Sequence, residues 1–91
     1  MFGVRLTFVA SGTGIPPSPE VLRQAVVETA RRSSVAIEHI WSGTTPAQVH
    51  VVVYLSGLGR EQAMAQSRIL GQSVEQGHGG IAFAGATPVN P

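Results

Sequence analysis

The sequence predicts an α+β fold whose six elements follow the order strand, helix, strand, strand, helix, strand. Three observations lead to this order. Segments near the start and in the middle of the chain alternate with a period of two, which is typical of half-buried strands. Two other segments carry helix start and stop signals, and turns rich in Gly, Pro, Ser and Thr separate the elements. A chain of 91 residues can bury one core, so we expect residues 1–91 to form a single domain.

The first strand and the first helix have clear local signals. The strand covers residues 4–10, and its side chains alternate between two faces: Val4, Leu6 and Phe8 on one, Arg5, Thr7 and Val9 on the other. Ser18 is a good N-cap and Pro19 suits a first helical position, so a helix is predicted from there to about Arg32. The apolar stripe of this helix comprises Leu22, Ala25, Val26, Thr29 and Ala30.

Two further strands, at residues 35–43 and 48–57, form a predicted hairpin with the connection SGTTPA. We expect Trp41 to pair with Val49, because a shift by one residue would place the Glu38 carboxylate in a row of buried valines. The face away from the core then holds Ala36, Glu38 and Ile40 beside His50, Val52 and Tyr54. Arg5, Thr7 and Val9 join this face if the first strand lies next to the third.

The second helix is predicted from about Arg60 to Gln76, and Gly77 ends it. Gly71 lies inside this helix and marks either close packing or a break. The last strand is GIAFAGA, residues 80–86. The following TPVNP is expected to leave the sheet, because its two prolines lack the backbone donor.

The order of these elements resembles the split β-α-β, or ferredoxin-like, arrangement. In that arrangement an antiparallel sheet of four strands carries both helices on one face. The likeness is one of topology, it spans the whole chain, and no family motif accompanies it. Because folds of this kind host unrelated functions, the topology implies no activity.

A half-apolar sheet face without helices is typical of a contact with a partner. We therefore expect a small noncatalytic interaction or accessory module that forms a homo-oligomer or docks on another protein. The predicted interface residues are Val9, Ile40, Val52 and Tyr54.

An alternative is a cofactor-independent enzyme, or small-molecule binder, of the dimeric α+β barrel type. Its candidate residues are Glu38 or His50 as general base, Tyr54 as proton donor and Arg5 as anion clamp. Residue types without a demonstrated pocket are weak evidence for catalysis, so the noncatalytic hypothesis is preferred.

No cofactor and no metal site are predicted. The segment SGLG at residues 56–59 could present backbone N–H groups to an anion beside Arg60, but it lacks a Walker lysine and a third glycine, so an ordinary helix start is the preferred interpretation. The chain has no Cys and no Asp, and the predicted hairpin register separates His39 from His50 on opposite faces of the sheet. His78 is expected in a loop.

Composition restricts the classes of partner. The formal net charge is +1, and the six basic residues are arginines that form no stripe along one face, so we expect no nucleic-acid partner. The apolar N-terminal stretch is interrupted by Arg5 and Thr7, and no apolar run is long enough to cross a bilayer. These features predict a cytoplasmic protein without a membrane partner.

Overall fold

The computed structural model describes residues 2–12 and 17–89. Its elements are β1 (Phe2–Ala10), α1 (Pro19–Arg32), β2 (Ile37–Thr45), β3 (Gln48–Leu55), α2 (Arg60–Gly77) and β4 (Ile81–Val89). The strands form one antiparallel sheet in the order β2-β3-β1-β4. This confirms the ferredoxin-like α+β fold, and the first strand lies beside the third, which is the condition under which Arg5, Thr7 and Val9 join the face away from the core.

The core lies between one face of the sheet and the two helices. Helix α1 contacts β2 and β3, and helix α2 contacts β1 and β4. The predicted inward rows of β1 and β3 are confirmed, since these side chains are buried: Val4, Leu6, Phe8, Val49, Val51, Val53 and Leu55. The helices complete the core with Leu22, Val26, Ala30, Ala63, Leu70 and Val74.

Both helices begin where the sequence predicts. The Ser18 side chain caps α1 by accepting a hydrogen bond from the backbone N–H of Val21 at 3.2 Å. In α2, Gly71 is buried and marks close packing, because a Cβ there would come within 2.5 Å of the Phe83 atoms Cδ1, Cε1 and Cζ. The helix therefore continues through Gly71 without a break.

The last strand is longer than predicted, since β4 continues through Pro88 to Val89. The expectation that proline would end the strand was wrong because β4 lies at an edge of the sheet. Alternate N–H groups of an edge strand point away from the sheet, and proline loses nothing at such a position. A bulge, with Gly85 at φ 148°, adjusts the pairing with β1 between Thr7 and Phe8.

The hairpin register also differs from the prediction. The turn contains two residues, 46 and 47, so Thr45 pairs with Gln48 and Trp41 pairs with Val52 instead of Val49. The argument from Glu38 failed because the strand forms a bulge between Ile37 and His39 and keeps the Glu38 side chain exposed. Glu38 therefore stays out of the core, as predicted, but it does so because of the bulge and not because of the predicted pairing.

This register exchanges the two faces of β2. Ile40 pairs with Val53 and packs against the core, whereas His39 and Trp41 lie on the opposite face. The predicted positions of Ile40 on the outer face and of His39 and Trp41 on the core face were therefore wrong. No helix among the described residues is long and apolar enough to cross a membrane.

Candidate functional site

The side of the sheet opposite the helices, here called the open face, presents four rows of side chains. Each row runs across the sheet in the order β2, β3, β1, β4. The rows are His39–Tyr54–Gly3–Val89, Trp41–Val52–Arg5–Thr87, Gly43–His50–Thr7–Gly85 and Thr45–Gln48–Val9–Ala82. The face is mainly apolar or neutral, and Arg5 is the one member of the rows with a full charge at neutral pH.

Two aromatic rings lie along the open face, each over a glycine. A Cβ on Gly43 would be 2.5 Å from Trp41 Cη2, and a Cβ on Gly3 would be 2.6 Å from Tyr54 Cε1. The glycines thus let both rings lie down on the sheet. Trp41 is still 58% exposed, the largest exposed fraction among the bulky apolar residues of the described chain.

Val52 occupies the centre of the open face and is only 8% exposed. Its neighbours across the two adjacent strands are Trp41 and Arg5. Val52 is therefore part of a small apolar layer on the face without helices.

The polar part of the open face centres on one hydrogen bond, which joins Thr7 Oγ1 and His50 Nδ1 at 3.1 Å. Thr7 and His50 are direct cross-strand partners, and Arg5 lies two residues from Thr7 on the same face. The contact orients the imidazole against the sheet. The sequence prediction included Thr7 and His50 on one face but missed this pairing, which depends on the register between β1 and β3.

The structure brings together some of the predicted catalytic residues and separates others. Arg5, His50 and Tyr54 share the open face, as predicted. Tyr54 lies four residues from His50, roughly 13 Å along the strand, and its ring leans over Gly3. Glu38 is exposed at the β2 bulge, and none of the side-chain hydrogen bonds of the described residues connects it with His50 or Tyr54.

The predicted interface residues also separate. Val9, Val52 and Tyr54 lie on the open face, whereas Ile40 faces the core. Trp41, which the sequence prediction placed in the core, takes the exposed position that Ile40 was expected to hold. The sequence prediction would have placed Trp41 on the open face if it had used the correct register of the hairpin.

The three histidines of the chain are not grouped together in the structure. His39 and His50 lie on the same face, contrary to the prediction, but they are two rows apart. Within residues 2–12 and 17–89, no three His, Cys, Asp or Glu side chains are grouped closely enough to hold an ion. His78 follows the last residue of α2 as its C-cap.

The SGLG segment forms an ordinary helix start. Gly57 has φ 73°, which produces a turn, and Gly59 is the N-cap of α2. Glu61 lies in the first turn, where its negative charge already faces the positive end of the helix dipole. This placement disfavours a second anion.

Salt bridges lie on the outer side of α1, remote from the open face. Arg23 pairs with Glu20, and Arg31 pairs with Glu28. Hydrogen bonds from the two guanidinium groups hold the pKa of each glutamate below its ordinary value. These pairs are exposed and explain most of the charge on this helix without a partner.

Four cavities of the described surface lie at the ends of the sheet, between the helices or along α2. One, of about 380 Å³, lies between the hairpin turn and the start of α1, where Pro17, Thr44 and Val49 contribute to its lining. Arg5, His50 and Tyr54 line none of the four. A single copy of the chain therefore presents these three residues on a surface rather than in one of these cavities.

Comparison with known proteins gives no match to a family model and no significantly similar curated sequence.

Proposed function

We propose that this chain is a noncatalytic assembly module that self-associates through its open face. The observation that carries the proposal is an unpartnered sheet face on which a tryptophan is 58% exposed beside a nearly buried valine, Val52. Contiguous apolar patches that are exposed on a protein surface commonly mark interaction sites. Aromatic side chains contribute disproportionately to such contacts.

The size of the open face fits an interface between two copies. The four strands have eight or nine residues each. At about 4.8 Å between strands and ~3.4 Å per residue, the sheet covers roughly 500 Å². Two copies packed face to face would bury about 1,000 Å² in total, which reaches the lower limit for a specific interface.

The distribution of charge supports a second copy of this chain as the partner. Two identical faces can pack together only if they do not repel each other. Arg5 carries the one full charge within the four rows, and it lies on β1, next to the edge strand β4. From there its guanidinium can reach the rim while its stem covers apolar surface.

Sedimentation equilibrium of three variants tests this proposal. Val9→Arg and Tyr54→Arg place a charge near opposite ends of the central strands, and each should raise the dissociation constant at least about tenfold, because a desolvated unpaired charge is costly. Val27→Arg is the matched control, because Val27 is exposed on α1. A wild-type monomer at all concentrations, or an equal effect of all three variants, would refute the proposal.

A second candidate function is the cofactor-independent enzyme or binder of the dimeric α+β barrel type. The hydrogen bond between Thr7 and His50, with Arg5 nearby, favours it, because an oriented imidazole beside a cation suits an anionic ligand. In this candidate two facing sheets enclose the ligand, and Glu38 has no role because of its position at the bulge.

Native mass spectrometry of the protein purified from cells tests the second candidate. If the second candidate is correct, the wild-type protein is an oligomer that carries a stoichiometric small molecule, and His50→Ala loses this molecule. If the protein is a noncatalytic assembly module, the wild type and His50→Ala both form the same oligomer without a ligand. An oligomer whose mass equals the sum of its chains would argue against the enzyme.

A further inference from the structure

We propose that the outer edge of β2 pairs in antiparallel fashion with β2 of a second copy, about a twofold axis at Ser42. The pairing would join two sheets into one of eight strands. It goes beyond the proposed contact through the open face, because it uses backbone groups at the edge of the sheet.

The two edge strands of the sheet, β4 and β2, differ in whether another strand can pair with them. The edge formed by β4 is closed to pairing at three points: the Phe83 N–H donates to the Glu75 carboxylate at 2.7 Å, Gly85 lies in a bulge, and Pro88 has no N–H. Such features prevent the addition of another strand. The stretch 39–45 of β2 has no proline, no bulge and no residue with a full charge.

The hairpin turn determines which groups of β2 point outward. In a hairpin with a two-residue turn, the flanking pair Thr45 and Gln48 is hydrogen-bonded, and every second pair after it follows. Gly43, Trp41 and His39 therefore bond to β3. The N–H and C=O groups of the alternate residues, Ile40, Ser42 and Thr44, point away from the sheet.

The same alternation, continued across the sheet, agrees with three independent features of β4. It predicts that the N atoms of Phe83 and Pro88 point outward, which agrees with the bond from Phe83 to Glu75 and with the presence of proline. It also predicts a bonded pair of Ser11 and Gly80, and the Ser11 N–H does donate to the Gly80 carbonyl at 2.9 Å. The assignment of outward groups on β2 rests on this pattern.

When the twofold axis lies at Ser42, the strands pair in the register in which the outward N–H and C=O groups of residues 40, 42 and 44 can all form hydrogen bonds. Ser42 then pairs with Ser42 of the second copy, and Ile40 pairs with Thr44, which gives about six backbone hydrogen bonds. A shift by two residues in one direction moves Ile40 opposite Pro46 of the turn. A shift in the other direction moves Thr44 opposite Glu38 in the bulge.

The side chains of this register are complementary. Trp41 comes opposite Gly43 of the second copy, in a non-hydrogen-bonded pair where side chains approach most closely. The Trp41 ring already lies over Gly43 of its own strand, so it packs flat on this sheet. Opposite the second glycine it meets no Cβ. A second copy of β2 therefore fits this edge because it supplies a glycine at the position that faces the indole.

Residue-resolved amide exchange of the ¹⁵N-labelled full chain tests the pairing. The amides of Ile40, Ser42 and Thr44 should be protected at high protein concentration and should lose at least about tenfold of that protection on dilution. The Ala86 amide is the matched control, since it lies on the outward side of β4 and should exchange rapidly throughout. If the three β2 amides exchange as rapidly as Ala86 at every concentration, the proposal is wrong.

A variant distinguishes this contact from the one through the open face. Ser42→Pro removes the central outward donor and no bond to β3, and Ala86→Pro makes the same change on the other edge. With both contacts present, the wild type is a tetramer, Ser42→Pro a dimer and Ala86→Pro a tetramer. Val9→Arg also gives a dimer, but one in which the β2 amides stay protected.

The two proposals fail in different ways. A wild-type dimer that Ser42→Pro leaves intact and Val9→Arg dissociates would refute the edge pairing alone. A dimer with the reverse behaviour would refute the contact through the open face alone. Should Ser42→Pro fail to fold, as judged by circular dichroism, the amide exchange of the wild-type protein decides.

Discussion

Replacing Gly71 by Ala should destabilise the fold although alanine is the better helix former. In an exposed helix the change would stabilise by about 1 kcal/mol. Here the new methyl group would come within 2.5 Å of three atoms of the Phe83 ring, roughly 1 Å closer than ordinary contact. The ring also packs against the buried Phe8, with centroids 5.6 Å apart, so it has little room to move. Overpacking of this kind costs about 1–3 kcal/mol, and we expect a net loss of ~1 kcal/mol.

A double-mutant cycle with Phe83→Ala isolates this contact. Urea denaturation of the wild type, the two single variants and the double variant, all at the same protein concentration, gives the free energies of unfolding. In the Phe83→Ala background the methyl group meets no ring, so Gly71→Ala should stabilise by about 0.5–1 kcal/mol, and the coupling should be roughly 2 kcal/mol. The reasoning is refuted if Gly71→Ala stabilises the wild type, or if it has the same effect in both backgrounds.

Three further predictions concern the helices. Ser67 is fully buried and its hydroxyl has no hydrogen-bond partner within the described residues, so Ser67→Ala should raise the free energy of unfolding by about 0.5–1.5 kcal/mol; a lower melting temperature would contradict this. Ser18→Ala removes the cap on the Val21 N–H and should cost about 1 kcal/mol, which Ser18→Asp should largely restore; equal melting temperatures of all three proteins would contradict it. The bond from Arg23 lowers the pKa of Glu20, so the pair stabilises the fold above the ordinary pKa of the carboxyl and ceases to do so as the pH falls through the lowered pKa. Because the pair is exposed, Glu20→Gln should have a small effect on the melting temperature at neutral pH that disappears in acid and in high salt, whereas an effect that persists in acid would contradict this explanation.

The parts of the fold that the sequence predicted correctly are those set by local rules. Ser18 and Pro19 define the start of α1 through capping and the fixed φ of proline, and the period of two in β1 and β3 assigns each side chain to a face. His50 and Tyr54 share a face because of that period alone, and Arg5 joins them because β1 pairs with β3.

The remaining features depend on contacts between elements. Period-two alternation cannot choose a hairpin register when a bulge removes one residue from the count, which is what happens at Glu38. That error moved Ile40 to the open face and Trp41 to the core. Similarly, Pro88 is compatible with β4 only because that strand lies at an edge, and the position of a strand within the sheet is a tertiary property.

The most direct test of the central claim is acrylamide quenching of Trp41, the one tryptophan of the chain, across a dilution series. Trp41 is exposed in the single copy, and the series is run in the Ser42→Pro background, where β2 cannot pair with a second copy, so that any protection reports coverage of the open face. We predict protection at high concentration that is lost on dilution and in Val9→Arg, and kept in Val27→Arg. Equal quenching at every concentration in the Ser42→Pro protein would contradict self-association through the open face.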